Sequence, residues 1–132
     1  MTGRDDIVAL TIRYATAIDS QQYALLQDVF TDDATVDYGE VGRWTGGAAV
    51  AQFMEQAHVM AAATMHRMTN QAIAIDGDVA TVRTYVDALI LLEDGSGANP
   101  VGYYDDVVVR TSSGWRISNR TYTSIRLVAV QG

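Results

Sequence analysis

Four long runs of strand-like sequence fill the second half of this chain, and they restrict its fold more than any other feature. Residues 64–75, 79–92, 100–111 and 115–128 are rich in Val, Ile, Thr and Tyr, and are separated by "DG", "EDGSGAN" and "SSG". Such short interruptions are hairpin signals, so the runs predict consecutive antiparallel strands. Each is about twice the usual strand length of roughly five or six residues. A sheet of such strands must twist and curl, which leaves a concave face to be covered.

The first half supplies the cover. From Asp5 to Ile18, Ile7, Leu10, Tyr14 and Ile18 form one apolar stripe and Val8, Ile12 and Ala15 a second, which predicts a helix with a wide buried face. Ser20 is positioned to cap a second helix over 21–30, with Tyr23, Leu26, Val29 and Phe30 on its face. "ATVDYGEVGRWTG" alternates in short stretches broken by Gly39 and Gly42 and predicts two short strands. A third helix is expected over 48–62, presenting Val50, Phe53, Met54, Ala57 and Met60. Helices first and a meander afterwards is the α+β pattern: one domain, residues 1–132, shaped as a cone with a pocket between helices and curled sheet.

Charge and composition remove several function classes. The net charge is −7, and the nine Lys and Arg residues are scattered, which disfavours nucleic acid and anionic membranes as partners. The chain has no cysteine, so disulfides and thiolate chemistry are out of reach. Neither a leader-like segment nor a membrane-length apolar run is visible, and a cytoplasmic location is expected. "GGAAVAQF" lacks the spacing of a phosphate-binding loop. His58 and His66 are the only histidines. His58 reads as a surface or interface residue, which leaves too few imidazoles for a zinc or iron site, and a cofactor-free, metal-free mechanism follows.

The first hairpin carries the most suggestive residues. With Asp76-Gly77 as a two-residue turn, Ile75 faces Asp78, and the same register sets His66 opposite Asp87, Met68 opposite Tyr85 and Asn70 opposite Arg83. A four-residue loop centred there preserves the pairing, whereas a three-residue loop or a β-bulge breaks it. Opposed residues share a face, with Cβ atoms about 4.5–5.5 Å apart. His66, Met68, Asn70, Tyr85, Asp87 and Leu89 are therefore expected on one pocket wall. A buried imidazole beside a carboxylate is either a structural ion pair or half of a general base. In the last hairpin, a turn at Ser112-Ser113 pairs Asp105 with Arg120 and Asp106 with Asn119.

"IVALTIRYATAIDSQQYALLQDVFTDDATVDYG", "TMHRMTNQAIAIDGDVATV" and "GYYDDVVVRTSSGWRISNR", taken in order, resemble the SnoaL-like branch of the nuclear transport factor 2-like superfamily over residues 5–128. By motif the functional relatives are the dehydratases acting on scytalone and bile acids and the hexachlorocyclohexane dehydrochlorinases. The resemblance implies a cone-shaped α+β barrel, a pocket without metal or organic cofactor, and elimination by a histidine base oriented by an aspartate at the end of the first helix. The family's tyrosine or lysine, four residues and aspartate match Tyr14 and Asp19, and its pocket histidine matches His66. A second carboxylate on the following strand matches Asp87, and a last-strand arginine matches Arg120, with Arg116 as the alternative. A homodimer or higher homo-oligomer is also implied.

Together these readings predict a cofactor-independent lyase of dehydratase or dehydrohalogenase type acting on a small apolar, cyclic organic substrate. His66 is the general base, because an imidazole accepts a proton near neutrality without extensive tuning. Asp19 orients it, Tyr14 and Arg120 polarise a carbonyl or leaving group, and Asp87 supports the network. Met68, Asn70, Tyr85, Tyr104, Phe53 and Leu89 are the expected substrate contacts. An isomerase or cyclase using the same base, or a non-catalytic hydrophobe-binding or dimerisation module, are the alternatives.

Overall fold

The structure, a computed structural model, describes residues 3–132. Helix α1 spans Gly3–Asp19, and a 3₁₀ turn over Tyr23–Asp28 leads into β1, Phe30–Asp37. A second 3₁₀ turn, Gly39–Val41, precedes β2, Arg43–Thr45, and α2, Gly47–Ala57. The meander follows as β3 Ala63–Asp76, β4 Val79–Leu91, β5 Gly97–Thr111 and β6 Gly114–Val130. All six strands form one sheet in the order β2-β1-β6-β5-β4-β3. Its pairings are antiparallel except β1 with β6, which run parallel. This is the expected α+β architecture, helices packed on a mixed, mostly antiparallel sheet.

α1 buries Ile7, Leu10, Tyr14 and Ile18 against the concave face, where they meet Val36, Val82, Val86 and Val108. Each such side chain contributes on the order of 1.5–3 kcal/mol when fully buried. Gln71 ties helix to sheet by donating to the Thr11 hydroxyl at 2.7 Å and the Thr84 hydroxyl at 3.1 Å. Among the described residues no helix is long and apolar enough to cross a membrane.

Two of the predicted helices are shorter than expected. Ser20 does not cap a helix over 21–30: its hydroxyl bonds back to the Thr16 carbonyl at 2.6 Å, and Gln21 takes a positive φ of 60°. The chain therefore re-enters as a tight 3₁₀ turn, and Phe30 begins a strand. α2 stops at Ala57, where the His58 backbone N–H closes the last turn on the Met54 carbonyl.

The registers also differ from those predicted, and the difference decides which side chains face inward. In the first hairpin Asp76 pairs with Val79, so the turn is Gly77-Asp78 rather than Asp76-Gly77. Gly77 holds φ +62°, as expected of glycine at the first central position of a type II′ turn. Farther along, Asn70 is an unpaired bulge residue with φ +48° between Thr69 and Gln71. Turn and bulge together leave a net slip of one residue. His66 faces Ala88, Met68 faces Val86, Arg67 faces Asp87, and Thr69 faces Tyr85. Because side chains alternate, a one-residue slip moves a whole set to the other face. In the last hairpin the turn is where it was expected, but an extra residue, Ser118, shifts the register so that Asp106 pairs with Arg120 and Asp105 with Thr121.

Candidate active site

Asp19 ends α1 beside β3, an edge strand whose outward backbone groups have no neighbouring strand. Its carboxylate uses that opening. Oδ2 accepts the His66 backbone N–H at 2.7 Å, Oδ1 accepts the His66 ring at Nδ1 at 2.7 Å, and the Thr64 hydroxyl donates to Oδ1 at 3.0 Å. Partial burial works against the carboxylate's charge, but the three donors more than offset it and hold Asp19 below its usual range. With a carboxylate on Nδ1, the neutral ring carries its proton there, and Nε2 keeps its lone pair. The His66 side chain is 9% exposed.

That ring borders a cavity of about 250 Å³ between α1, α2 and the concave sheet face. This is just under the roughly 300 Å³ at which pockets for drug-sized molecules begin. Phe53, Met54, Val86, Ala88, Ile90 and Leu127 supply apolar walls. Tyr14, Tyr38, Tyr104 and Tyr122 bring phenols to the same space. The Tyr14 and Tyr38 hydroxyls are hydrogen-bonded at 2.7 Å, and the Tyr14 ring meets the His66 ring edge-on at 6.2 Å. Burial pushes the phenols of Tyr14, Tyr38 and Tyr104 above the ordinary tyrosine range. They are therefore neutral hydrogen-bonding groups, able to donate to an oxygen and unsuited to act as bases.

Beneath the phenols lies a wholly buried ion pair. Arg120 donates Nε and Nη2 to the two carboxylate oxygens of Asp106 at 2.8 and 2.9 Å, and both side chains are 0% exposed. The guanidinium stacks 3.9 Å from the Tyr104 ring centre and 4.4 Å from that of Tyr14. Burial disfavours the charge of Arg120, but Asp106 overrides it and the group stays protonated. Nη1 is buried without a hydrogen-bond partner among the described residues. Arg120 is not part of the cavity wall; its charge reaches the cavity through the aromatic rings above it. The expected Asp105 partner instead binds Arg83 at 2.8 and 3.0 Å.

The structure brings together Tyr14, Asp19, His66, Phe53 and Tyr104. It separates the others. Asp87 lies on the face opposite His66, half-exposed, where Arg67 donates to it at 3.1 Å and Asn99 at 2.7 Å. Those partners, Asn99 foremost, hold its carboxyl low. Tyr85 and Leu89 share that outward face, because they pair with Thr69 and Met65. Asn70 is the bulge residue. Met68 lines a shallower recess with Asp19, Thr16 and His66 rather than the cavity.

Among the polar cavity residues Tyr38, Tyr122 and His58 were missed, as were most of the apolar wall residues. Tyr38 follows Ala34 and Val36 at period two, all three buried, so strand alternation would have found it. His58 follows Met54 by four residues, one helical turn, and helical spacing carried that signal. Among the described residues no group of three or more His, Cys, Asp or Glu is placed to hold a metal ion.

A concave sheet under helices, with a histidine–aspartate pair at one wall of a largely apolar pocket, defines the class of molecule. The chain matches the model of the SnoaL-like domain over residues 1–121, and it belongs to that family. An uncharacterized protein of Mycobacterium tuberculosis is 32% identical over 126 residues, 93% of this chain and 86% of that protein. The crystal structure of the Kfla4162 protein from Kribbella flavida superposes with a TM-score of 0.87 at 30% identity, over 95% of this chain and 92% of that one. A type 2 hexachlorocyclohexane dehydrochlorinase, LinA, gives a TM-score of 0.88 at 19% identity, over 98% and 89%. At that identity the likeness is one of fold.

Proposed function

We propose that this protein is a cofactor-independent lyase in which His66 removes a proton from the carbon next to the carbonyl of a small cyclic ketone. The observation that carries this reading is the 2.7 Å bond between His66 Nδ1 and Asp19, in a ring that borders the cavity. Nε2 takes the proton, and Asp19 stabilises the imidazolium that forms. The electron pair of the broken C–H bond moves onto the carbonyl oxygen, where one hydroxyl of the Tyr14–Tyr38 pair donates to the developing enolate while accepting the hydrogen bond of the other. The enolate then re-forms the carbonyl and expels a β-hydroxyl or halide. A hydroxyl leaves as water with the proton returned by His66.

Positioned proton transfer supplies roughly 10²–10⁴-fold, so the phenols and the exclusion of water must supply the remainder. Arg120, stacked under Tyr14 and Tyr104, favours negative charge above those rings without touching substrate. The fold shared with a dehydrochlorinase supports the reading.

The experiment follows proton removal directly. Cyclic ketones with and without a β-hydroxyl or β-halide are incubated in D₂O with wild type and His66→Ala. Wild type should exchange the α-proton and release the leaving group, and His66→Ala should do neither while keeping its fold. Equal rates in the two proteins would discard His66 as the base.

A further inference from the structure

The second histidine also borders the cavity. His58 follows the last residue of α2, and its ring stacks on Tyr23 with centroids 5.9 Å apart and planes inclined by 25°. Its Nδ1 lies 2.7 Å from the Met54 carbonyl oxygen. A carbonyl can only accept, so Nδ1 carries the proton and Nε2 of the neutral ring holds a lone pair. Burial keeps the ring below the usual histidine pKa, although the Met54 contact opposes it. At neutral pH that lone pair is therefore free of a proton. No described residue donates to it, and Nδ1 has the one hydrogen bond the ring makes.

His66 reaches the same tautomer by a different partner. The cavity is thus bordered by two imidazoles whose Nδ1 protons are committed to protein oxygens and whose Nε2 atoms can only accept. In the reading above, a carbon acid engages His66. The other acceptor has no counterpart among the donors of the described residues, and an unpartnered acceptor on a ring that borders the cavity rewards a ligand that brings a donor.

We propose that His58 is a specificity-determining residue whose Nε2 accepts a hydrogen bond from a substrate hydroxyl, so that the cavity prefers hydroxylated ring ketones to their deoxy counterparts. This rests on the ring-ketone reading of the site, but it concerns binding alone. Unchanged turnover in His66→Ala would remove the base and leave the preference standing.

The test measures the dissociation constants of the ring ketones 6-hydroxy-1-indanone and 1-indanone by calorimetry, with wild type and with His58→Phe, which retains a ring to stack on Tyr23. Wild type should favour the hydroxylated probe about five- to tenfold. His58→Phe should lose that ratio by weakening the hydroxylated probe alone. In ¹⁵N-histidine-labelled wild type, which needs no substitution, 6-hydroxy-1-indanone should shift the His58 Nε2 resonance and 1-indanone should not. Equal affinities in wild type, a ratio that survives His58→Phe, a silent Nε2 resonance, or failure of both probes to bind at millimolar concentration would each overturn the proposal.

Discussion

Asp19 grips His66 at two points, accepting its backbone N–H and its ring Nδ1, each at 2.7 Å. The end of α1 is thereby fastened to edge strand β3, and the imidazole is held in one tautomer. Asp19→Asn can preserve the backbone contact while losing the charge. Activity measured with the ketone panel should fall roughly 10²–10⁴-fold, with little change in the fold.

The same carboxylate should titrate below its ordinary value of 3.8. A carboxyl whose pKa is lower in the folded than in the unfolded chain stabilises the fold fully above the unfolded value, and that stabilisation fades as pH falls through the folded one. The stability gap between wild type and Asp19→Asn should therefore narrow below pH 4. ¹³C titration of the Asp19 carboxyl checks the direction, and Thr64→Val, which deletes one donor, should move its midpoint upward.

Asp106 and Arg120 are wholly buried partners, so breaking the pair differs from replacing it. Asp106→Ala strands the guanidinium under Tyr14 and Tyr104 and should cost about 3–5 kcal/mol in urea unfolding. The double variant Asp106→Leu/Arg120→Met should recover most of that loss. Its α-proton exchange rate should stay depressed, because the charge beneath the phenols is gone.

Asp87 faces away from the cavity in an exposed pair with Arg67, the two side chains 48% and 45% exposed. Asp87→Ala should leave the urea unfolding midpoint close to that of wild type and leave α-proton exchange unaltered. A large loss of exchange would show that the outward face takes part in the chemistry.

Asn70 sits in the left-handed region at φ +48°, where a β-branched side chain clashes. Asn70→Val should destabilise by roughly 1–2 kcal/mol, and Asn70→Gly by much less. If the valine variant survives by losing the bulge, His66 should turn outward and activity should vanish.

Much of the fold was legible because it is written in local patterns. Helical spacing marked α1, and "DG" and "SSG" marked hairpin turns within a residue of their true places. His66 stood out in its hairpin, but its pairing with Asp19 was legible only through a family resemblance, since nothing in their 47-residue separation announces a contact. What local pattern could not supply was parity. In β3, Thr64, His66 and Met68 share the inward side with Gln71 and Ile73 because Asn70 steps out of register between them. In β6, Ser118 does the same, turning Arg120 inward with Ile117.

Local pattern along the chain was enough for the element order, the antiparallel meander, the acidic net charge and one histidine base candidate in a strand. Only the folded chain settles that Asp87 faces outward and that Arg120 pairs with Asp106. The physical reason is that alternation along a strand has a period of two. One extra residue reverses every side chain beyond it, and where a long, strongly curved sheet accepts that residue is settled by packing between distant parts of the chain.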